Sequence, residues 1–554
     1  MKFMADFETT TDIDDCRVWA CGICSIDDEM KFEIGNSIEW FIIHTQLHKG
    51  STYYFHNLKF DGEFILHYLL SNGYTYVKNK RSMYEKSFSC LINEAGVFYA
   101  LYISYDDNPK KNCIEIYDSF KILPYSEDKI AKAFNLPIQK LEIDYDEYRP
   151  IGHKITQQEL DYIEHDVKIV TYGLKELFKQ GLTKMTQGSN ALYDYKRTIG
   201  TKTFDRYFPV PYYDADVRQS YRGGYTYCNP KFKGLNIGEG IVLDVNSLYP
   251  SVMVQCPLPY GEGVFFEGEY EYDRLHPLYI QMIRTQFDLK EGYLPTIQLK
   301  NNYRFTPTEY VSSSEGEEIV LCLTCVDLEL FKEHYNVYYI EYLSGWKFKQ
   351  TYKLFTNYID KWYKVKQQAT IDGNATLRTI AKIMMNALYG KFGTRSTTAS
   401  KIPYLQDDVV KYKTGEVEEK PILYIPVATF ITAWARNKTI RSAQKCYDRF
   451  VYSDTDSLHL LGTELPKEIE IDDLKLGAWA HEKTFTRARF LHSKTYIEEV
   501  DGKLEVTCCG MPKSCHEFVT WENFKVGSSF PNKLTPTHVK GGIVLKSIDF
   551  TIRE

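Results

Sequence analysis

The stretch Val451-Tyr-Ser-Asp-Thr-Asp-Ser-Leu-His-Leu460 places two carboxylates two residues apart, between apolar residues that favour β-strands. In an extended chain, residues two apart point to the same face, so Asp454 and Asp456 can both face one hard cation. Two carboxylates that face each other repel unless a cation lies between them. The stretch therefore predicts a metal-binding hairpin. The alternative is a solvated turn, since Asp, Ser and Thr also favour turns for backbone reasons.

Two further stretches suit the same chemistry. Ile241-Val-Leu-Asp-Val-Asn-Ser-Leu-Tyr-Pro250 predicts an apolar strand that ends at Asp244, followed by a break. Between the two acidic stretches, a helical repeat places two cations, an amide and a phenol on one face, opposite an apolar face: Arg378, Lys382, Asn386 and Tyr389. Such a face suits a triphosphate and its base or sugar, although an ordinary amphipathic helix has the same pattern.

Four acids from three distant N-terminal segments predict a second metal site. Asp6 and Glu8 share one face of a short predicted strand, and Asn57-Leu-Lys-Phe-Asp61 brings a third acid. Thr156-Gln-Gln-Glu159 predicts a capping box at the start of a helix, on which Tyr162 and Asp166 share a face. A phenol and carboxylates in this arrangement suit a metal ion and an attacking water, whereas scattered surface acids are the alternative.

Together, these stretches resemble the motifs of family B DNA polymerases, in the order the family has them. The matches are Asp-x-x-Ser-Leu-Tyr-Pro at 244–250, Lys-x-x-x-Asn-x-x-Tyr-Gly at 382–390, Tyr-x-Asp-Thr-Asp-Ser at 452–457, Lys494-Thr-Tyr496 and Tyr221-Arg-Gly-Gly224. The N-terminal stretches resemble the Asp-x-Glu, Asn-x-x-x-Phe-Asp and Tyr-x-x-x-Asp motifs of proofreading 3′–5′ exonucleases. An insertion that contains Thr324-Cys-Val-Asp-Leu-Glu-Leu330 resembles the first terminal-protein region of the protein-primed subgroup, and the chain resembles its phi29-type phage members from end to end.

The resemblance implies an α/β (α+β multidomain) fold. A ribonuclease-H-like 3′–5′ exonuclease domain is expected at residues 1–184, where apolar strands alternate with helices. A right-hand polymerase domain is expected at 185–554, with the fingers as two helices joined at Asp372-Gly-Asn374 and the second insertion rich in turns. Its expected parts are the palm at 185–254 and 425–525, a first insertion at 255–352, fingers at 353–390, a second insertion at 394–424 and a thumb at 526–554.

For the polymerase, the resemblance implies nucleotidyl transfer with two Mg²⁺ or Mn²⁺ ions, which each active site would bind. The implied metal ligands are Asp244, Val245 through its carbonyl, Asp454 and Asp456. The implied nucleotide ligands are Tyr249, Lys366, Lys382, Asn386 and Tyr389. The alternative for the two tyrosines is that they are structural residues of the hydrophobic core. The implied ligands of template or primer are Tyr221, Gly223, Gly224, Ser247, Thr432, Arg436, Lys494 and Tyr496, and Asp327 is expected to bind the priming protein.

For the exonuclease, the resemblance implies a metal site with Tyr162 orienting the attacking water and Lys140 stabilising charge on the phosphate. Glu142 stands near Lys140 where an Asp is expected. The implied metal ligands are Asp6, Glu8, Asp61, Glu142 and Asp166. The implied ligands of single-stranded DNA are Thr9, His56, Asn57, Phe60, Phe64, Ser119, Phe120 and Tyr145.

The net charge of −7 does not exclude nucleic acid as a partner, because the charge is unevenly distributed. Residues 347–395 hold ten Lys and Arg against two Asp and Glu, and catalytic acids can make a chain acidic while its grooves stay basic. Thirteen irregularly spaced cysteines fit reduced thiols, and no stretch predicts a signal peptide or membrane span. We therefore expect the cytoplasm of a host cell. The expected partners are template-primer DNA, deoxynucleoside triphosphates and a terminal protein, with the chain as a monomer or as a heterodimer with that protein.

Three other functions remain open from the sequence. One is a nuclease whose polymerase half is inactive, and another is a non-enzymatic module that binds a terminal protein at genome ends. Intact Asp244, Asp454 and Asp456 weigh against the first, and binding alone does not need so many paired acids. The third is a nucleic-acid-primed polymerase of a mobile element, against which the insertion around Asp327 favours protein priming.

Overall fold

The computed structural model of the protein describes residues 1–27, 31–145, 147–299 and 309–553. Its N-terminal part is a mixed eight-stranded sheet, in which the first strand pairs in parallel with the strand Thr52–Phe55. The strands, in spatial order, are Phe32–Gly35, Val18–Ser25, Lys2–Thr9, Thr52–Phe55, Ile114–Asp118, Phe98–Ser104, Ser87–Ile92 and Thr75–Tyr76.

Helices pack against this sheet, and the longest one begins where the sequence predicts. The side chain of Thr156 accepts from the Glu159 N–H, and the Glu159 carboxylate accepts from the Thr156 N–H, so the predicted capping box is confirmed. The helices are Ile38–Leu47, Asp61–Ser71, Pro109–Asn112, Glu127–Ala133 and Gln157–Lys179. Three helices then lead out of this part: Gln187–Ile199, Thr201–Tyr207 and Asp214–Arg218.

Two antiparallel sheets and two helices form the expected palm region. The five-stranded sheet contains, in spatial order, Trp479–Phe485, Gly240–Val245, Ser457–Leu461, Phe450–Asp454 and Thr226–Cys228. The four-stranded sheet contains Asn236–Ile237, Arg487–His492, Thr495–Val500 and Lys503–Cys508. The helices are Leu248–Gln255 and Ile425–Lys445, and buried apolar residues of both join the largest core. Strands from distant parts of the sequence are thereby brought together.

The expected first insertion and fingers are regular structures. The insertion is a four-stranded antiparallel sheet with one helix: Leu258–Glu267, Tyr335–Thr351, Leu278–Leu289 and Ile319–Thr324, with the helix Cys325–His334. The fingers are the helices Thr356–Ile371 and Ala375–Ala387, joined by a turn at 372–374 as predicted, and followed by the short helix Tyr389–Phe392. Ile380, Ile383 and Met384 are buried, whereas Lys382 and Asn386 are exposed, which confirms the predicted polar and apolar faces.

Two long hairpins complete the chain. The second insertion is regular rather than turn-rich, and we call it the insertion hairpin, with strands Thr397–Gln406 and Val409–Glu419. Its turn residues, Asp407 and Asp408, both have positive φ, as a tight hairpin turn requires. The C-terminal hairpin has strands Ser529–Val539 and Gly542–Thr551. Within the described residues, no helix combines the length and apolar character needed to cross a membrane.

Candidate active sites

Three carboxylates meet at the edge of the N-terminal sheet. One oxygen from each of Asp6, Glu8 and Asp166 lies within 4.8 Å of the other two, a cluster found once among the described residues. The strand Lys2–Thr9 supplies the first two acids and the helix Gln157–Lys179 supplies the third. Asp61 lies at the start of its helix and accepts from the Phe7 N–H at 3.2 Å. The fold therefore gathers the predicted acids from three segments.

Burial and mutual repulsion disfavour the charged form of these acids when no cation is present. Burial, together with repulsion from Asp61 and Glu8, raises the pKa of Asp6 well above its usual value. Burial and the neighbouring acids raise the pKa of Glu8 to about 8, and burial raises the pKa of Asp61 to about 7. One buried oxygen of Asp166 has no hydrogen-bond partner. A cluster of hard carboxylate oxygens that repel one another fits a divalent cation such as Mg²⁺ or Mn²⁺.

A phenol and an amine border this cluster. The Tyr162 hydroxyl lies 2.6 Å from the hydroxyl of Tyr145, whose side chain is exposed. Lys140 Nζ lies 3.1 Å from Asp166 and 3.3 Å from Glu127, an acid that the motifs did not indicate. Burial alone would lower the pKa of Lys140, but these two carboxylates raise it, so the amine stays charged.

The predicted DNA ligands of this site divide into surface and buried residues. Asn57 is exposed with φ of +72°, and Phe120 is also exposed, while Thr9 and Phe60 are half-buried. The buried Asp118 carboxylate fixes the first two, because it accepts from the Asn57 N–H at 3.1 Å and the Phe120 N–H at 2.9 Å. Sequence reasoning missed this residue, although an acid directly before Ser119 could have indicated a cap.

Four predictions at this site need correction. Glu142 is exposed and lies outside the carboxylate cluster, so the structure does not support it as a metal ligand. Ser119 is buried, and its hydroxyl forms hydrogen bonds with His56 Nδ1 and the Phe55 carbonyl. The other ring nitrogen of His56 forms a hydrogen bond with the Tyr125 carbonyl. Phe64 is 1% exposed. Packing and internal hydrogen bonds leave His56, Phe64 and Ser119 as supports rather than surface ligands.

The polymerase acids converge on the five-stranded sheet. Asp244 lies on the strand Gly240–Val245, opposite Ser457, and the Val245 N–H donates to the Asp456 carbonyl at 2.8 Å. Burial and repulsion from Asp456 and Glu482 raise the pKa of Asp244 to about 7. Burial, with repulsion from Asp454 and Glu482, also raises the pKa of Asp456. Glu482 is therefore a fourth nearby acid, to which sequence reasoning gave no role.

Asp454 has a different environment from its two partners. The prediction that Asp454 and Asp456 share the face of an extended strand is wrong, because the strand ends at Asp454 and Thr455 turns the chain with φ of +62°. Asp454 pairs with Lys494 Nζ at 2.6 Å and accepts from Thr226 at 3.0 Å. Asp244 and Asp456 fit a divalent cation through strained, half-buried oxygens, while Asp454 is already neutralised by the Lys494 amine.

Cations and aromatic rings lie across from these acids. Burial and repulsion from Arg378 and Lys382 lower the pKa of Lys366, so three cations of the two finger helices crowd together. Lys366 and Lys382 lie on different finger helices and are nevertheless close together, and Arg378 joins them. The rings of Tyr249 and Tyr389 stack with centroids 4.0 Å apart and an interplanar angle of 24°. Crowded cations beside stacked rings suit a triphosphate with its sugar and base.

The stretch Tyr221–Gly224 supports the acidic hairpin (Phe450–Asp454 and Ser457–Leu461). A Cβ atom at Gly224 would lie 2.6 Å from the Thr455 side chain, so the close approach requires glycine. The Thr455 N–H donates to the Tyr225 carbonyl at 2.7 Å. Gly223 and Lys494 are exposed, while Tyr221, Ser247 and Tyr496 are half-buried.

Three residues predicted to contact DNA or the priming protein are buried, and two of them form an ion pair. Arg436 is 2% exposed and binds the Asp327 carboxylate through two nitrogens, Nη2 at 2.8 and 2.9 Å from its two oxygens and Nε at 3.2 Å from one of them. A third Arg436 nitrogen donates to the Arg222 and Gly223 carbonyls. The Thr432 hydroxyl is buried and donates to carbonyls of its own helix. These contacts correct the direct roles predicted for Thr432, Arg436 and Asp327, because all three are satisfied inside the protein.

Comparison with known proteins supplies independent findings. The family model of "DNA polymerase type B, organellar and viral" matches residues 46–152 and 142–473. The DNA polymerase of Bacillus phage phi29 is 46% identical over 576 residues, which cover 100% of this chain and 99% of that protein. The DNA polymerase of Streptococcus phage Cp-1 is 34% identical over 582 residues, which cover 100% of this chain and 98% of that protein.

Solved structures agree with the sequence comparisons. The phi29 DNA polymerase complexed with primer-template DNA superimposes with a TM-score of 0.94 at 45% identity, and all of both chains is covered. The same enzyme complexed with primer-template DNA and incoming nucleotides also gives a TM-score of 0.94, again with full coverage of both chains.

Proposed function

This chain belongs to the family B DNA polymerases, and from that premise we propose that it replicates a phage-type linear genome from a protein primer. It is a DNA polymerase, and the family uses divalent metal ions. Our proposal adds processive, strand-displacing synthesis and 3′–5′ proofreading by the same chain. The observation that carries it is the presence of two separate acidic centres in a chain similar over its whole length to phage polymerases.

In the polymerase centre, Asp244 and Asp456 would hold two Mg²⁺ or Mn²⁺ ions, with the Val245 carbonyl as a further ligand. Bound ions would lower the pKa of the primer hydroxyl and neutralise charge on the leaving pyrophosphate. Asp454, paired with Lys494, would keep the acidic hairpin in place. Glu482, to which the sequence gave no role, and Asp454, which the resemblance implied as a metal ligand, would therefore support the two other acids.

The finger helices would bind the incoming nucleotide. Lys382, with Lys366 and Arg378, would neutralise the triphosphate, because each of these cations is relieved of repulsion when an anion enters. Tyr249 would pack against the sugar and Tyr389 against the nascent base pair, with Asn386 beside them. Among the predicted DNA ligands, those that reach the surface would touch template or primer: Tyr221, Gly223, Gly224, Ser247, Lys494 and Tyr496.

In the exonuclease centre, Asp6, Glu8, Asp61 and Asp166 would hold the metal ions. Tyr162 would orient the attacking water through its hydroxyl, and Lys140 would stabilise charge that develops on the phosphate. The frayed primer end would lie on the exposed or half-buried residues around the cluster: Thr9, Asn57, Phe60, Phe120 and Tyr145.

The proposal also covers the substrates, the priming protein and the domain boundaries. Primer-template DNA and incoming nucleotides, which the phi29 structures contain, would be the substrates here. A terminal protein would prime synthesis, either with the polymerase as a monomer or within a heterodimer. Its site would be the surface of the first insertion rather than the buried Asp327 itself. The exonuclease at 1–184, the polymerase at 185–554 and the cytoplasm of a host cell stay predictions.

Extension of singly primed circular single-stranded DNA tests the proposal. With magnesium and four nucleotides, the wild type should yield products longer than the circle, because synthesis continues by displacing its own strand. Asp456→Ala should abolish the products, and Asp6→Ala should keep them while it removes degradation of mismatched primers. A wild type that only shortens primers would favour a nuclease. A wild type that extends DNA primers but never labels a co-purified protein with nucleotide would favour nucleic-acid priming.

A further inference from the structure

A buried glutamate of the palm region has no part in the proposed catalysis. Glu498 is 0% exposed and lies on the strand Thr495–Val500 of the four-stranded sheet. It follows Tyr496 by two residues, so both side chains project from the same face of that strand. A buried carboxylate is unfavourable unless it is paired, and Glu498 has two partners from another sheet.

Both partners come from the five-stranded sheet that carries the polymerase acids. His459 Nδ1 lies 2.7 Å from one Glu498 oxygen, and Lys483 Nζ lies 2.9 Å from the other. His459 is three residues after Asp456, and Lys483 lies on the strand that pairs with the strand of Asp244. Burial alone would raise the pKa of Glu498, but its two partners lower it, so the carboxylate stays charged. Glu498 therefore ties the two palm sheets together.

The ring of His459 packs against aromatic side chains that lead to two predicted primer ligands. It meets the rings of Tyr452 and Tyr496 edge-on, with centroids 5.2 and 5.3 Å away. The Tyr452 hydroxyl accepts from the Lys494 N–H at 2.8 Å. A hydrogen bond to one ring nitrogen fixes the orientation of a histidine, so Glu498 sets how this ring meets both tyrosines.

We propose that Glu498 is a positioning residue for the primer terminus, which holds Lys494 and Tyr496 in a fixed place relative to Asp244 and Asp456. The inference rests on the proposed function, in which those four residues bind the primer and the metal ions. A reacting atom misplaced by about 1 Å can slow a reaction roughly a hundredfold. A loosely held primer end should therefore add nucleotides slowly and reach the exonuclease centre more often. Nucleotide binding by the finger helices should not change.

The neighbouring strand offers a matched control. Glu505 lies directly opposite Glu498 in the sheet, and its carboxylate is 2.6 Å from Nζ of the same Lys483. The Glu505 side chain is 51% exposed, and exposed pairs contribute little because water solvates both charges and salt screens them. Two glutamates that share one lysine thus differ in burial.

The test compares full-length Glu498→Gln and Glu505→Gln with the wild type. Addition of one nucleotide to a matched primer-template gives kcat and the KM for the nucleotide. Without nucleotides, the degradation rate of the paired primer is divided by the rate for the same strand unpaired, and this degradation ratio reports how often the primer end leaves the polymerase centre. For Glu498→Gln we expect kcat to fall about tenfold at unchanged KM, and the degradation ratio to rise roughly threefold or more. Glu505→Gln should match the wild type.

A second variant keeps the test decisive if Glu498→Gln damages the fold. His459→Asn keeps a side-chain N–H that can donate to Glu498, but it removes the ring that packs against Tyr452 and Tyr496. We expect this variant to lower kcat and raise the degradation ratio as well, while degradation of the unpaired strand keeps its wild-type rate.

Other outcomes overturn the positioning role. A wild-type degradation ratio in both Glu498→Gln and His459→Asn would show that the primer position does not depend on Glu498. A raised KM at unchanged kcat would assign the effect to nucleotide binding, and an equal effect of Glu505→Gln would assign it to the charge of the sheet. Loss of unpaired-strand degradation in both Glu498→Gln and His459→Asn would show general damage.

Failure of the proposed function has a different signature. Lys494→Ala removes a predicted primer ligand directly, so it should lower kcat and raise the degradation ratio. If Lys494→Ala left both values unchanged, the proposed primer contact itself would be wrong. If Lys494→Ala changed both values and Glu498→Gln changed neither, only the positioning role would be wrong.

Discussion

The two acidic centres differ in how their charges are arranged. In the exonuclease centre, acids crowd together on a sheet and a long helix, and the nearby cation, Lys140, is already held by Asp166 and Glu127. In the polymerase centre, one of three motif acids is neutralised by Lys494, while the finger cations crowd one another. The first centre has more carboxylates than its one cation can neutralise, and the second separates acids from cations. A metal ion alone completes the first, whereas the second also needs a polyanionic nucleotide between its two sides.

The largest expected effect is a clean separation of the two activities. Asp6→Asn should lower exonuclease activity by at least about a thousandfold and leave polymerisation intact, and Asp244→Asn should do the reverse, because each removes a carboxylate that we propose binds a metal ion. Degradation of a single-stranded oligonucleotide and extension of a matched primer measure the two activities. If either variant impaired both activities equally, the centres would not be independent.

The finger cations should affect nucleotide binding more than the chemical step. Lys382→Ala should raise the KM for the nucleotide roughly tenfold to a hundredfold, because charge-assisted contacts to phosphate are lost. Lys366→Ala should give a smaller rise. The exposed Lys364, on the same helix, supplies the control, and Lys364→Ala should behave as the wild type. An equal effect of all three variants in steady-state kinetics would contradict a specific triphosphate-binding role for Lys366 and Lys382.

The polymerase centre should also be sensitive to packing around its hairpin turn. Gly224→Ala should slow polymerisation about tenfold, because the new methyl displaces Thr455 and misplaces the acids. Exonuclease activity should not change. Thr455→Gly removes the contacting atoms and suits the positive φ, so the double variant should recover part of the loss in primer extension. A double variant slower than Gly224→Ala would exclude this steric explanation.

The smallest effect is a pH dependence of stability in chelator. Unfolded carboxyls titrate near pH 4, whereas Glu8 and Asp61 in the folded protein titrate at about 8 and about 7. Between those values the folded state binds more protons than the unfolded one. Stability is therefore full at low pH and is lost as pH rises, so the melting temperature should fall by a few degrees from about pH 5 to about pH 8.

Charge removal and metal addition supply the controls for that measurement. The combined variant Asp6→Asn, Glu8→Gln should flatten the pH dependence, and Asp244→Asn should do so less, since the exonuclease acids are more crowded. A divalent cation should restore stability at high pH in the wild type. A melting temperature that rises across this range would contradict the repulsion inferred for the cluster.

Sequence motifs predicted local features well, because those depend on spacing within a few residues. The capping box at Thr156, the finger helices and the acids at 6, 8, 166, 244 and 456 follow from such spacing. Burial does not follow from it, so Ser119, Thr432 and Arg436 carry motif matches yet lie inside the protein. Glu482 was missed as a neighbour of the centre because its proximity depends on distant segments, whereas helical spacing had placed Arg378 on the face expected to meet the triphosphate.

The buried pair of Asp327 and Arg436 bears on how this polymerase can be re-engineered. The insertion supplies the only carboxylate bonded to that guanidinium among the described residues, and the guanidinium in turn holds the Gly223 carbonyl beside the polymerase acids. Excising the insertion to obtain a smaller enzyme would strand a positive charge in the protein interior, a defect of about 3–5 kcal/mol. The first insertion is thus part of the buried structure that supports the polymerase centre. A truncated design needs either another acid to pair with Arg436 or an apolar residue at position 436.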